Sequence, residues 1–386
     1  MNILTLNEIS KRGTDKFTND FVLAADMQEA DAILIRSTNM HNHTLNPELL
    51  AVARAGAGTN NIPVDKCTAN GIVVFNTPGA NANAVKELAI ASMLLGSRKI
   101  VESIEWTKTL KGKDDIEELV ETGKKQFVGP ELIGKRLGVI GLGAIGVLIA
   151  NAAVSLGMEV LGYDPYLSVQ SAWNISTGVK LATNLDDIIT TCDYISIHVP
   201  FTPDTKNMFN KEMMVKLKPG CRLMNFSRAE LVETQALKDA LSDGTIAKYV
   251  TDFPNEDVIG LDNVIAIPHL GASTPESEEN CAEMAVMQLQ DFLKYGVIRN
   301  SVNFPNCDSP YTGKIRITLI HKNIPNMVRA ITTVFADEHL NIDNMVNKSR
   351  GDIAYTIVDL DSIDGKEDEL LPLLEDIVGM IKVRLI

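Results

Sequence analysis

The sequence predicts an α/β protein with two parallel-sheet domains followed by a smaller C-terminal domain. Three observations support this prediction. Short β-rich runs alternate with helical stretches over roughly the first hundred residues. The same alternation restarts at "GKRLGVIGLG" and continues to about residue 267. The last seventy or so residues instead follow a β-α-β-β-α-β order.

Size and composition narrow the class of protein. A chain of 386 residues suggests two or three domains. The net charge of −14 argues against a nucleic-acid partner, which needs a basic face. Five cysteines without a C-x-x-C pair predict neither disulfides nor a zinc site and favour a cytoplasmic location. No signal peptide is expected, because the N-terminus lacks a cationic start followed by an apolar core. No membrane partner is expected either, because the uncharged stretch 137–158 has the glycine spacing of a strand, turn and helix.

The first domain is expected to comprise residues 1–97 and 275–303. "AILIR" at 32–36 and "IVVFN" at 72–76 read as strands, and "NPELLAVA" at 46–53 reads as helical. One helix over "NANAVKELAIASMLLGSRKIVESIEW" crosses to the next domain, with the boundary near residue 98. A helix over 276–295, with an acidic first turn, returns to the first domain.

The second domain is expected over residues 98–274, with six strands in a doubly wound sheet. The predicted strands are 137–141, 159–163, 194–198, 221–226, 248–253 and 263–267. Residues 304–313 hold two prolines and a glycine without periodicity, so they read as a linker. Residues 314–386 then form the third domain.

A glycine loop opens the second domain. Gly141, Gly143 and Gly146 follow the strand "RLGVI" and open the helix "AIGVLIANAAVSLG". In that context Gly141 permits a tight turn, Gly143 lets a pyrophosphate approach a helix N-terminus, and Gly146 allows close helix–strand packing. Asp164 ends the second strand and would repel a 2′-phosphate, so the pattern predicts NAD rather than NADP in a Rossmann-type domain.

Three side chains near the strand ends predict hydride-transfer chemistry. Arg228 follows "CRLMNF", where its planar guanidinium can hold a carboxylate and polarise a carbonyl oxygen. An imidazole can gain and lose a proton near neutral pH, so His269 is expected to exchange the hydroxyl proton. Glu256 is the carboxylate expected to raise the pKa of that imidazole. His41 and His43 lie in a polar loop without further ligands, so no metal site is predicted.

The whole chain resembles the D-isomer-specific 2-hydroxyacid dehydrogenases, and more closely their phosphoglycerate-oxidising branch. The matching stretches include "LIRSTN", "ARAGAGTNNIPVDKC", "VIGLGAIG", "NFSRAELVE", "TDFPNE" and "PHLGAST". The resemblance implies that Arg228, Glu256 and His269 are the catalytic set. The sequence departs from the family pattern at Ala229, where a glycine is usual. The segment that holds the glutamate is also shorter than usual, which leaves Asp257 as an alternative to Glu256.

The resemblance also implies ligand contacts. Arg36 and Arg54 would face the phosphate of 3-phosphoglycerate, while the backbone at Ala57 and Gly58, together with Arg228, would meet its carboxylate. Asp252 would lie near the nicotinamide amide. The residues expected to bind NAD are Gly141, Gly143, Ala144, Ile145, Gly146, Asp164, His198, Val199, Phe226, Asp252, His269 and Gly271.

The C-terminal residues resemble an ACT domain, a ferredoxin-like regulatory module. His321, Asn323 and Asn341 match positions that hold L-serine in serine-inhibited members, although Asn326 replaces an expected glycine. A homodimer or homotetramer is expected. Two alternatives stay open: a general NAD-dependent D-2-hydroxyacid dehydrogenase, and a non-catalytic NAD-sensing regulator, whose sequence would show a broken catalytic set.

Overall fold

The computed structural model describes residues 1–363 and 365–386. It contains two compact units. The first unit combines Met1–Asn81 with Pro275–Ile386, and the second unit is Ala82–Thr274. In the described part of the chain, no helix has the length and apolar character needed to cross a membrane.

A five-stranded parallel sheet forms the N-terminal part of the first unit. Its strands run in the order β2-β1-β3-β4-β5. They are β1 (Asn2–Thr5), β2 (Val22–Leu23), β3 (Ala32–Ile35), β4 (Ala51–Arg54) and β5 (Val73–Phe75). The helices that belong to this part are α1 (Lys11–Thr14), α2 (Val64–Ala69) and α11 (Pro275–Tyr295). The helix expected over 276–295 is therefore confirmed.

The helical prediction for residues 46–53 is wrong. The segment turns at its start and enters β4, which lies between β3 and β5. Ala51, Val52 and Ala53 are all fully buried there. A central strand covered on both faces has a continuous apolar run instead of alternation, so the local pattern cannot distinguish it from a helix.

The long helix predicted over 81–106 is two helices. They are α3 (Ala82–Ser97) and α4 (Ile100–Lys108), and Lys99 between them has a φ of 38°. A residue in the left-handed region cannot continue a right-handed helix, so the chain changes direction there. A short helix, α5 (Ile116–Gly123), and a 3₁₀ turn at Lys124–Phe127 follow.

The second unit holds a seven-stranded parallel sheet in the order β12-β11-β10-β9-β6-β7-β8. Six strands match those predicted, and the prediction missed the short edge strand β8. The strands are β6 (Arg136–Ile140), β7 (Glu159–Tyr163), β8 (Val179–Leu181), β9 (Tyr194–Ile197), β10 (Cys221–Asn225), β11 (Ile246–Thr251) and β12 (Val264–Ala266). The helices are α6 (Ala144–Ser155), α7 (Val169–Trp173), α8 (Leu185–Ile189), α9 (Lys211–Lys216) and α10 (Thr234–Ser242), with a 3₁₀ turn at Ala229–Leu231.

The C-terminal residues form the predicted β-α-β-β-α-β order around an antiparallel sheet. The sheet order is β14-β15-β13-β16, as in ferredoxin-like folds. The elements are β13 (Ile315–Lys322), α12 (Met327–Asp337), β14 (Ile342–Arg350), β15 (Ile353–Leu360), α13 (Glu367–Glu375) and β16 (Met380–Leu385). Alternate residues Ile317 and Leu319 pack in a core with residues of α12 and α13.

The other face of this C-terminal sheet is also buried. Ile320, Tyr355 and Ile357 share one apolar core with Leu289 and Phe292 of α11. The Tyr355 hydroxyl donates to the Gly296 carbonyl oxygen at 2.7 Å. The sheet therefore lies between its own helices on one side and the N-terminal part of the first unit on the other.

Candidate active site

The three glycines of the cofactor loop differ in their surroundings. A Cβ on Gly146 would lie 1.9 Å from the Gly141 carbonyl oxygen, and a Cβ on Gly141 would lie 2.5 Å from the His198 carbonyl oxygen. Gly141 also has a φ of 91°. A Cβ on Gly143 would meet nothing within 4 Å. Gly141 and Gly146 thus maintain the turn, while Gly143 leaves open space at the N-terminus of α6, where a pyrophosphate fits.

Asp164 follows β7 and is tied to the same loop. One carboxylate oxygen accepts the Leu142 amide at 2.9 Å, and the other accepts the Tyr166 amide at 2.8 Å. Each oxygen retains a lone pair because a carboxylate oxygen accepts two hydrogen bonds. The residue is therefore held in position and can still accept ribose hydroxyls.

His198 directly follows β9, beside the glycine loop. One ring nitrogen, Nε2, lies 2.7 Å from the Ser196 hydroxyl, while Nδ1 is enclosed and has no hydrogen-bond partner in the described structure. Burial lowers the pKa of His198 to about 3, so the ring is neutral at physiological pH. An enclosed ring nitrogen without a partner is consistent with a site that a ligand completes.

Arg228 and His269 approach the same aromatic ring in the second unit. The guanidinium carbon of Arg228 lies 5.6 Å from the ring centroid of Phe253, and the His269 ring centroid lies 4.8 Å from it. Arg228 Nη1 also donates to the Ser227 carbonyl oxygen at 2.6 Å. Both side chains are solvent-exposed. The structure thus brings the predicted guanidinium and imidazole together around Phe253.

The backbone at His269 is unusual. Its φ is 46°, a left-handed value that is uncommon for a residue with a Cβ. The amide donates to the carbonyl oxygens of Asp252, at 3.0 Å, and Ile267, at 2.9 Å. These two hydrogen bonds hold the turn that presents the imidazole, and a strained residue of this kind is typical of functional sites.

Asp252 is the buried carboxylate of this cluster. One of its oxygens accepts the Gly271 amide at 2.9 Å, and the other is enclosed without a partner in the described structure. Burial raises the pKa of Asp252, while the neighbouring His269 and Arg228 act in the opposite direction. The unpartnered oxygen can accept an amide N–H, which is what the predicted nicotinamide contact requires.

The structure does not join Glu256 to His269. Glu256 is exposed in the loop after β11 and forms no hydrogen bond or ion pair within the described residues. Its alternative, Asp257, pairs with Lys238 Nζ at 2.9 Å. Asp257 is thus engaged elsewhere, and the pairing of Glu256 with His269 stays a prediction.

Arg36 and Arg54 lie next to each other in the first unit. Arg54 Nε donates to the Arg36 carbonyl oxygen at 2.9 Å, and Arg54 Nη1 donates to the Gly58 carbonyl oxygen at 2.5 Å. Arg36 forms an ion pair with Glu278, and both side chains are about half-exposed to solvent. Such a pair contributes little stability, so an anionic ligand can compete for the guanidinium. The Ala57 carbonyl oxygen accepts the side-chain amide of Asn76 at 2.6 Å.

Comparison with known proteins identifies the family. A D-3-phosphoglycerate dehydrogenase of Haemophilus influenzae is 32% identical over 358 residues, which cover 88% of this chain and 82% of that protein. The enzyme of the same name from Escherichia coli is 30% identical, and the match covers 95% of this chain and 90% of that protein. This chain belongs to the D-isomer-specific 2-hydroxyacid dehydrogenase family.

The family's NAD binding domain matches residues 90–271. This match confirms the predicted NAD-type cofactor domain. A cofactor-bound 3-phosphoglycerate dehydrogenase of Entamoeba histolytica has a TM-score of 0.60 at 25% identity, over 78% of this chain and 98% of that one. The chain spans 59% of a 33% identical D-3-phosphoglycerate dehydrogenase of Methanocaldococcus jannaschii. It thus covers only part of some members of the 2-hydroxyacid dehydrogenase family.

Sequence reasoning missed two residues that position this 2-hydroxyacid dehydrogenase site. Phe253 supplies the ring between Arg228 and His269. Asn225 is fully buried at the end of β10, and its side-chain amide donates to the Arg228 carbonyl oxygen at 2.8 Å. A polar residue at the end of an otherwise apolar strand was a signal for Asn225. Phe253 gave no signal, because its role depends on two partners distant in sequence.

The three residues matched to serine binding lie in the C-terminal sheet. His321 is buried, with one ring nitrogen 2.8 Å from the Lys322 carbonyl oxygen and the other 2.9 Å from the Thr356 hydroxyl. Asn323 and Asn341 are exposed. Asn326 has a φ of 71°, a left-handed conformation that glycine and asparagine adopt more readily than other residues do.

Proposed function

We propose that the chain is an NAD-dependent D-3-phosphoglycerate dehydrogenase, which oxidises 3-phospho-D-glycerate to 3-phosphohydroxypyruvate in the first step of L-serine synthesis. The observation that carries the substrate assignment is the adjacency of Arg36 and Arg54, because two guanidinium groups suit a phosphate dianion. The relatives that share most of their length with this chain and bear that enzyme's name support it.

The chemistry follows from the residues around Phe253. NAD, when bound, accepts the hydride from the carbon that carries the hydroxyl. A ring nitrogen of His269 takes the hydroxyl proton as the carbonyl forms and returns it in the reverse direction. Arg228 binds the carboxylate and stabilises negative charge on the carbonyl oxygen. Glu256 favours the protonated imidazole when it approaches His269.

The cofactor contacts in this proposal use the atoms left open in the second unit. The N-terminus of α6 at Gly143 would hold the pyrophosphate, since a Cβ there meets nothing within 4 Å. Asp164 would accept the ribose hydroxyls, and the free Asp252 oxygen would accept the nicotinamide amide. The five free cysteines fit a reducing, cytoplasmic compartment, which is part of the proposal.

An assay of NADH formation tests the substrate. We expect purified protein with NAD to oxidise 3-phosphoglycerate, and Arg54→Ala to lower kcat/KM for that substrate at least about a hundredfold, as expected for loss of a charge-assisted phosphate contact. The matched control is Arg329→Ala, an equal charge change at an exposed position on α12. Oxidation of unphosphorylated D-2-hydroxy acids alone would replace this proposal by a general 2-hydroxyacid dehydrogenase. No NADH with any such substrate, despite NAD binding, would favour the cofactor-sensing regulator.

For regulation, we infer that the C-terminal domain binds L-serine through His321, Asn323 and Asn341 in a homodimer or homotetramer. Calorimetry with L-serine on the intact chain and on Asn341→Ala tests this, because the variant removes an exposed amide. Heat with the natural chain and none with the variant supports the inference. No heat with either would leave the domain an assembly role only, which light scattering would measure.

A further inference from the structure

A cavity of about 490 Å³ opens in the first unit; none of the residues assigned above lines it, although Asn76 in its wall contacts Ala57. Its walls are the residues that directly follow β5, the segment 300–306 and the end of β14. Asn76, Asn300, Asn306, Ser349 and Arg350 supply polar groups, and Phe304 is a fully buried apolar contact. A volume of this size accommodates a small molecule.

The cavity carries a net positive charge. Arg350 is the ionisable side chain that lines it, and no carboxylate lines it among the described residues. Arg350 Nη1 donates to the Ser301 carbonyl oxygen at 2.9 Å, and the side chain forms no ion pair in the described part of the chain. Asp291 and Asp308, which flank the segment 300–306 in sequence, both pair with Arg299, at 2.7 and 2.8 Å. An unneutralised guanidinium in a chain of net charge −14 favours an anionic ligand.

The remaining polar groups are rich in hydrogen-bond donors. Asn306 uses its side-chain oxygen to accept the Asn300 amide at 3.0 Å, which leaves its NH₂ group free. The side chains of Asn300 and Ser349 make no hydrogen bonds within the described residues. Two free amides, a hydroxyl and a guanidinium together match the oxygens of a carboxylate or phosphate.

We propose that this cavity binds a small anionic metabolite through its carboxylate or phosphate group, with Arg350 as the principal contact. It is separate from the serine-matched residues of the same C-terminal domain. One wall residue, Asn76, donates to the Ala57 carbonyl oxygen at 2.6 Å, while Arg350 belongs to the C-terminal sheet. A ligand here contacts both parts of the first unit and therefore stabilises their association.

Calorimetric titration of the intact chain with inorganic phosphate, and separately with malonate, tests the proposal. We expect Arg350→Ala, and Ser349→Phe as a variant that fills the cavity, to weaken binding of the active probe at least about tenfold. Arg329→Ala is the matched control for charge. Arg54→Ala separates this cavity from the proposed substrate site, and both Arg329→Ala and Arg54→Ala should keep the binding event that Arg350→Ala loses.

The result identifies the ligand class. Binding of phosphate alone assigns a phosphate group, and binding of malonate alone assigns a carboxylate. Equal binding by Arg350→Ala and the natural chain, or no saturable heat with either anion, would overturn the proposal. Unfolding temperatures of all variants verify folding. Because calorimetry needs no turnover, this test does not depend on the proposed enzymatic reaction.

Discussion

Individual glycines in the cofactor loop have separable roles. Gly143 has an ordinary φ of −74° and open space where a Cβ would be, whereas Gly146 faces the Gly141 carbonyl oxygen. The two glycines therefore have different roles, although they lie only a few positions apart. The space at Gly143 leaves room for the ligand proposed there, and the contact at Gly146 leaves no room for a Cβ.

We expect Gly143→Ala and Gly146→Ala to fail in opposite ways. Gly143→Ala should fold normally but bind NADH at least about tenfold more weakly, because its methyl group occupies ligand space. Gly146→Ala should lose about 1–3 kcal/mol of stability, because its methyl group would overlap backbone. Urea unfolding and NADH fluorescence titration measure the two effects. Unchanged NADH affinity in Gly143→Ala would contradict the assignment of the pyrophosphate position.

His198 makes stability depend on pH in a defined window. Burial lowers its pKa from 6.5 to about 3, so between these values the unfolded chain binds the extra proton. Its contribution is complete above pH 6.5 and is lost as the pH falls toward 3. His198→Asn should reduce the slope of unfolding free energy against pH in this window by up to ~1.4 kcal/mol per pH unit. Urea titrations at several pH values measure the slope, and His339→Asn, at an exposed histidine of φ 57°, is the control.

Strand pairing determines the next level of organisation. Arg316 on β13 stands directly opposite Asp359 on β15, and both side chains are almost completely buried. The guanidinium makes two hydrogen bonds to the carboxylate, at 2.6 and 2.9 Å, and others to the carbonyl oxygens of Tyr295, Ser309 and Pro310. This pair joins the C-terminal sheet to the preceding linker.

Removing one member of that pair should be more damaging than removing both. Arg316→Met or Asp359→Leu alone leaves a buried charge without its partner and should cost about 3–5 kcal/mol. The double variant should be much more stable than the sum of the two losses predicts, because no charge is left unpaired. Thermal and urea unfolding of the four proteins form a complete double-mutant cycle. Additive losses of unfolding free energy would show that the two charges do not stabilise the protein by pairing with each other.

At the scale of the whole molecule, the C-terminal domain is part of the first unit's core. Its sheet presents Ile320, Tyr355 and Ile357 to α11, and Lys382 Nζ donates to the Leu49 carbonyl oxygen at 2.9 Å. Burial lowers the pKa of Lys382, while the negative charge of Glu48 acts in the opposite direction. The domain is therefore integrated with the N-terminal part of the first unit through both apolar packing and hydrogen bonds.

A chain truncated after Gly313 should consequently be destabilised. Loss of the C-terminal sheet exposes apolar residues of α11, so we expect a lower unfolding temperature and increased binding of a hydrophobic dye. Calorimetry and dye fluorescence on the truncated and intact chains measure this. An unchanged first transition, with no additional dye binding, would mean that the C-terminal domain is only tethered to the remainder.

The sequence predicted most of the second unit because its signals are local. The glycine loop lies between a strand and a helix, and Asp164, Arg228 and His269 each follow a strand end. It failed at residues 46–53, where burial on both faces removes the alternation of a strand. It failed again at Lys99, because a left-handed residue within an apolar helical pattern leaves no periodic signal.

By itself the sequence determined the fold class, the family and the chemical types at the site, since strand ends and glycine spacing follow from neighbouring residues. Tertiary structure decided which groups meet. It brought Arg228 and His269 to Phe253, left Glu256 without a partner in the described structure, and created a cavity at Arg350 from three separate segments. Contacts between residues distant in sequence depend on the packing of whole elements, which no local pattern encodes.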